Sequence, residues 1–125
     1  MVDEITPEEL HDLLESGADV RVVDIRMPRA YERGHIPGSE NIPFSRLPNE
    51  VERLDGAEHV VTVCPHGKSS IQAAQLVSSY EGIDDDARVE SLSGGLDAWE
   101  WGLASGSDDG ETEAETADEG PQSPF

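Results

Sequence analysis

The chain has 125 residues, enough for one domain and too few for two, and with 35 % hydrophobic and 5 % aromatic residues its core must be small and aliphatic. Asp and Glu number 28 against 8 Lys and Arg, a formal net charge of −20; such a surface repels phosphate backbones and anionic headgroups, which argues against nucleic-acid and membrane partners. No stretch approaches the roughly 18 apolar residues of a membrane span, no basic-then-apolar leader opens the chain, and one cysteine cannot close an internal disulfide. A soluble, cytoplasmic protein is expected.

In chain order, Thr6-Pro7-Glu8-Glu9 has capping-box spacing with proline at the first helical position, and Leu10, Leu13 and Leu14 form a stripe that stops at Gly17. Val20 to Ile25 is short and β-branched, the pattern of a buried strand. Pro28 to Arg33 predicts a short helix ended by Gly34. His59 to Val63 is a second buried strand running into Cys64, and Ser69 to Tyr80 carries Ile71, Ala74, Val77 and Tyr80 at helical spacing. Arg88 to Leu92 is a third strand, and Gly94-Gly95 opens a last short helix through Trp99. Strands separated by helices predict an α/β fold, a mostly parallel central sheet with helices on both faces over residues 1–105. Ligand sites of such sheets lie at the carboxyl ends of the strands, where Cys64 falls.

Residues 106–125 read as an acidic disordered tail, rich in Gly, Ser, Thr and Pro, with one large apolar residue, Phe125. The tail holds seven acidic residues and no basic ones, so the remaining 21 acidic and 8 basic residues still leave a net charge of −13. With one lysine, Lys68, against seven arginines, the composition is that of a halophilic protein, since at molar salt the Debye length of about 3 Å removes most self-repulsion.

The segment V-T-V-C-P-H-G-K-S-S-I-Q-A-A-Q-L sets Cys64 between a buried strand and an amphipathic helix. A loop feeding a helix N-terminus exposes unpaired amides and partial positive charge, and both favour a reactive thiolate. Gly67 permits the torsions that wrap the loop around sulfur. Lys68 adds an ammonium, and Ser69 and Ser70 are expected to cap the helix and donate hydroxyl hydrogen bonds. Pro65 stiffens the turn. A cysteine phosphatase needs arginine six positions after its nucleophile to hold a phosphoryl group; that position is Ser70, and no arginine follows until Arg88. The loop suits a smaller cargo, a sulfur atom held as persulfide.

At this point the sequence resembles the rhodanese family over about Ile5 to Leu103. V-V-D-I-R-M-P-R-A-Y-E-R-G-H-I-P-G is similar to the family's N-terminal signature, L-S-G-G-L-D-A-W to its C-terminal one, and C-P-H-G-K-S-S to the active loop of compact bacterial thiosulfate sulfurtransferases. The resemblance implies a rhodanese-like fold and a thiosulfate sulfurtransferase in which Cys64 attacks a sulfur donor such as thiosulfate and passes sulfur to a thiol or cyanide acceptor, without metal or cofactor. It assigns His66, Gly67, Lys68, Ser69 and Ser70 to substrate binding and sets Arg26 near the pocket. Asp24, Arg26, Glu32 and His35 match positions that brace the fold, and Trp99 matches a packing position. Larger family members carry basic residues directly after the cysteine, where this chain has Pro65 and His66. His11 and His59 read as incidental. Two alternatives stay open: a persulfide relay serving a protein sulfur acceptor, and a non-catalytic interaction module.

Overall fold

Alternation along β4, His59–Val63, sends Val60 to one side of the sheet and Val61 and Val63 to the other, so the strand serves two separate apolar clusters. In the computed structural model, which describes residues 2–106, this strand is the middle of a five-stranded sheet of order β1-β5-β4-β2-β3. β1 is Asp3–Ile5, β2 Arg21–Asp24, β3 Glu40–Asn41 and β5 Arg88–Leu92, and every pairing is parallel. The α/β expectation of a parallel sheet with helices on both faces therefore holds. The tail expected over 106–125 lies, apart from Gly106, outside the described residues.

One cluster gathers Val23, Ile25, Val60 and Cys64 under Ala73 and Val77 of α4, Ser69–Ser78, and under Leu47 and Leu54 from the helical run between β3 and β4. That run consists of a 3-10 turn at Phe44–Arg46, α3 at Leu47–Glu50 and a 3-10 turn at Val51–Leu54. The other cluster packs Val22, Val61, Val63 and Leu92 against Leu10 of α1, Pro7–Glu15, with Trp99 at its margin as the packing expectation had it. Thr6 caps α1 through the full capping box: its hydroxyl accepts from the Glu9 amide at 3.1 Å, and the Glu9 carboxylate accepts from the Thr6 amide at 3.1 Å.

The chain leaves β2 outward to β3 and leaves β4 in the opposite direction to β5, so the carboxyl ends of β2 and β4 flank the point where the winding reverses. Past β2, Ile25 extends the ladder by donating its amide to the Val63 carbonyl at 3.0 Å, which brings Arg26 alongside the segment that begins at Cys64. α2, Pro28–Arg33, follows. Arg26 is engaged within the fold. Its guanidinium forks onto buried Asp24, with Nε 2.9 Å from Oδ1 and Nη2 2.8 Å from Oδ2, and Nη2 donates to the Gly34 carbonyl at 2.7 Å. His35 stacks on Tyr31 with ring centroids 3.8 Å apart and pairs by backbone with Ala104. Glu32 is exposed, and its carbonyl accepts from the Gly106 amide.

The Asp24 carboxylate is 1 % exposed, so removing Arg26, its cationic partner among the described residues, would leave a buried charge uncompensated. Arg26→Met is expected to lower the unfolding free energy by about 3 kcal/mol in urea titrations. A loss below 0.5 kcal/mol, roughly that of an exposed ion pair, would show that Arg26 does not brace the fold.

Candidate active site

Cys64 is the first residue past β4 and the next, after Val60 and Thr62, to face α4. Thr62 ties that face together, its hydroxyl donating 2.7 Å to the Ser70 carbonyl. The loop 64–68 then curls so that Cys64, itself 2 % exposed, has its sulfur at the focus of the α4 N-terminus. The Gly67 amide donates to Sγ at 3.1 Å, the Ser70 amide at 3.3 Å, and the Ser70 hydroxyl oxygen lies 3.3 Å away. Burial alone would push the thiol up. The Ser70 hydroxyl and the amides of Ser70, His66 and Gly67 more than reverse it, and the thiol lies below its ordinary value. The arrangement stabilises an anion on sulfur with neutral donors.

The loop is held from the other side by a turn that follows β5. Leu96 donates its amide to the Cys64 carbonyl at 2.8 Å and Asp97 to the Pro65 carbonyl at 3.0 Å, from the 3-10 turn Leu96–Ala98. Two glycines make this approach feasible. A Cβ at Gly67, whose φ is +84°, would stand 2.9 Å from the Gly94 amide nitrogen; one at Gly95, φ +67°, would stand 2.4 Å from the Cys64 carbonyl and 2.5 Å from the Gly67 nitrogen. Backbone packs directly on backbone.

The residues expected to bind substrate divide sharply. Gly67 and Ser70 are buried and touch the sulfur. His66, Lys68 and Ser69 are exposed on the outer rim, with His66 Nδ1 2.8 Å from Asp97 Oδ2. Helix capping by Ser69 and Ser70 is corrected: Lys68 occupies the N-cap position, no side chain caps the helix, and Ser70 lies inside the first turn with its hydroxyl turned to sulfur. The sulfur, not a serine, receives the leading amides. Arg26 is held by Asp24 and Gly34, as described above.

Three features were not anticipated. Ser91 of β5 sits behind Ser70, their hydroxyl oxygens 2.6 Å apart. His59 is not incidental: its Nε2 lies 2.6 Å from the buried Glu90 carboxylate, which also accepts from Arg88 at 2.9 Å. His11 stacks on Trp101 at 4.2 Å beside Trp99. Each joins residues far apart in sequence, and no local pattern announces it. Among the described residues no group of three or more His, Cys, Asp or Glu side chains is placed to hold a metal ion, and no helix is long and apolar enough to cross a membrane.

The rhodanese-like domain family matches residues 6–100. The chain is 40 % identical over 95 residues to a protein from Pseudomonas paraeruginosa named thiosulfate sulfurtransferase GlpE, covering 76 % of this chain and 81 % of that one. A protein of the same name from Pseudoalteromonas translucida is 38 % identical over 82 residues, 66 % of this chain and 74 % of that one. Among solved structures, a thiosulfate sulfurtransferase from Pseudomonas aeruginosa superposes with TM-score 0.74 at 30 % identity, covering 86 % of this chain and 20 % of that much longer one. A human single-domain sulfurtransferase does so with TM-score 0.62 at 30 % identity, covering 79 % and 96 %.

Gly95→Ala tests the backbone contact. Its φ and the approaches of the Cys64 carbonyl and the Gly67 and His66 nitrogens, all under 3 Å, leave an added methyl no place, so stability should fall by about 2 kcal/mol and iodoacetamide should modify Cys64 more slowly at neutral pH as the amides lose their aim. Parent-like stability and reactivity together would show that the turn is not what holds the loop.

Proposed function

Because the chain belongs to the rhodanese-like domain family, we propose that it is a sulfurtransferase in which Cys64 carries the sulfur. The observation that carries this reading is the set of contacts on Sγ at 3.1–3.3 Å, the Gly67 amide of the loop with the Ser70 amide and hydroxyl of the first α4 turn, and serine stands where a phosphoryl-transfer loop would hold arginine. Such a cradle fits one soft, singly charged atom rather than a phosphoryl group with three equatorial oxygens.

The chemistry follows from the thiolate. Cys64 attacks the outer sulfur of thiosulfate, the new S–S bond forms as the bond to sulfite breaks, and sulfite leaves with the electron pair. The product is a Cys64 persulfide whose outer sulfur bears the negative charge and draws on the same loop amides. An acceptor nucleophile, cyanide or a thiol, then attacks the outer sulfur and returns Cys64 as thiolate. With one cysteine in the chain, the persulfide cannot be resolved as an internal disulfide, so the acceptor is external. A thiol that must stay reduced between turnovers suits a reducing, cytoplasmic compartment. The rim residues Lys68 and His66 are the nearest basic groups of the loop, and Lys68 draws the dianion in.

Mass spectrometry after incubation with thiosulfate is expected to show one added sulfur, removed by a reductant and lost in Cys64→Ser. Sulfur transfer to cyanide should be abolished in that variant with its circular dichroism unchanged. Substantial residual turnover would exclude Cys64 as the carrier.

Charge sets a second expectation. Thiosulfate approaches a chain of net charge −20, and in dilute buffer of about 0.01 M the Debye length of about 30 Å lets the whole acidic surface repel it. In molar salt only contacts within a few ångströms persist, and the amides and hydroxyl on Sγ are such contacts. Raising KCl from about 0.05 to 3 M should therefore increase both stability and kcat/KM for thiosulfate, with Lys68→Ala weaker throughout. Activity that peaks in dilute buffer while the protein stays folded would refute salt adaptation.

A further inference from the structure

We propose that Ser91, a strand residue outside the loop, is a positioning residue for the Cys64 nucleophile and acts through the hydroxyl of Ser70. The inference rests on the reading of Cys64 as the nucleophile, and it concerns what prepares the sulfur rather than which donor it attacks.

Ser91 lies on β5, opposite Thr62 of β4, and is fully buried, as is Ser70. Alternation turns Ser91 and Val89 toward the α4 side and sends Glu90 and Leu92 to the other. The hydroxyl oxygens of Ser91 and Ser70 are 2.6 Å apart, at the short end for two hydroxyls, and Ser70 Oγ is 3.3 Å from Sγ. Sγ, Ser70 and Ser91 thus form a buried line of three groups joined by two contacts. Among the described residues Ser70 is the hydrogen-bond partner of the Ser91 hydroxyl.

Proton placement decides which form of Cys64 this line favours. With a thiol there are three protons, on sulfur and on each hydroxyl, and two contacts, so one proton has no acceptor within the line. With a thiolate there are two protons and two contacts: Ser91 donates to Ser70, and Ser70 donates to sulfur. Every group is then satisfied. Ser70 alone would give the same proton count, so the contribution specific to Ser91 lies elsewhere. By donating to Ser70 Oγ it fills the lone pair facing β5, aims the remaining proton at Sγ and polarises that bond. A hydroxyl that accepts one hydrogen bond while donating to an anion is a stronger donor than one that does not.

Charged groups near this line act by other routes. On the loop, Lys68 and the His66–Asp97 pair sit on the exposed rim. On β5, Glu90 faces the opposite side and is occupied by His59 and Arg88. The Thr62 hydroxyl donates to the Ser70 carbonyl and leaves the Ser70 side chain to sulfur and Ser91.

The test is the pH profile of Cys64 alkylation by iodoacetamide in the full chain, which reads thiolate directly and needs no sulfur donor. Alanine at 91 removes one oxygen and leaves the strand ladder intact, and urea unfolding verifies each variant. Ser91→Ala is expected to move the profile to higher pH and slow alkylation at neutral pH roughly threefold, the lower range of a hydrogen bond's worth. Ser70→Ala should slow it more, and adding Ser91→Ala to Ser70→Ala should change nothing further, because the route to sulfur is already cut. An unmoved profile in Ser91→Ala, an unmoved profile in Ser70→Ala, or a further loss in the double variant each overturns the proposal. Since alkylation is independent of thiosulfate, failure of sulfur transfer with the expected shifts would reject the proposed donor and leave Ser91 standing. Normal transfer with unmoved profiles would do the reverse.

Discussion

An anion on the sulfur of Cys64 must be stabilised in a buried place, and among the described residues the partners of that sulfur are all uncharged. Burial of a thiolate is unfavourable by itself. What offsets it here is donor geometry: amides of the loop and the first turn of α4, converging with the Ser70 hydroxyl at 3.1–3.3 Å. The rest of the site serves that convergence. β4 delivers Cys64 to the α4 face, Thr62 fastens the start of α4 to β4, and the turn after β5 fixes the loop's carbonyls. The Pro65 carbonyl, committed to Asp97, shares its peptide unit with the His66 amide, which helps hold the thiol below its ordinary value.

The backbone contact between the loop and the turn explains why glycine recurs on both sides. Gly67 and Gly95 meet with no room for a methyl, and both hold positive φ. The C-terminal signature is therefore part of the environment of Cys64, which it reaches through backbone contacts. It also places β5, and with it Ser91, behind Ser70. The loop and the last strand form one unit, built from segments more than twenty residues apart in sequence, as Ser70 and Ser91 are.

Local chemistry made most of this legible from the sequence. The capping box of α1, the β-branched runs of β2, β4 and β5, and the strand–cysteine–helix passage are short-range patterns, and each formed where its residues imply. β1 and β3 were not apparent: Asp3 and Glu4 of β1 are exposed and only Ile5 is buried, while β3 is a two-residue edge held by the Arg21–Glu40 ion pair. The helical run from Phe44 to Leu54 follows the core contacts of Leu47 and Leu54 rather than any long periodicity. At the site, Cys64, Gly67 and Ser70 were recognisable because loop chemistry demands them. Ser70 reads locally as a helix cap, a role the geometry gives to no side chain, and Ser91 carries no motif at all, since its meaning depends on register between β4 and β5.

The choice of neutral donors has a consequence for a chain this acidic. A nucleophile activated by a neighbouring lysine or arginine depends on a Coulomb term that ions screen over a few ångströms at high salt. Amide and hydroxyl groups in contact with sulfur act at hydrogen-bond distance, about the Debye length of molar salt (about 3 Å), so salt leaves them largely in place. The long-range field of the acidic surface, by contrast, disfavours the thiolate and repels anionic donors, and salt removes it. The two contributions therefore respond to ionic strength in opposite ways: the destabilising one fades and the stabilising one persists. A buried hydroxyl–amide cradle is a form of thiol activation that does not depend on the chain's one lysine, and Lys68 is exposed at the rim, where under the proposed function it would guide the donor rather than hold the charge on sulfur.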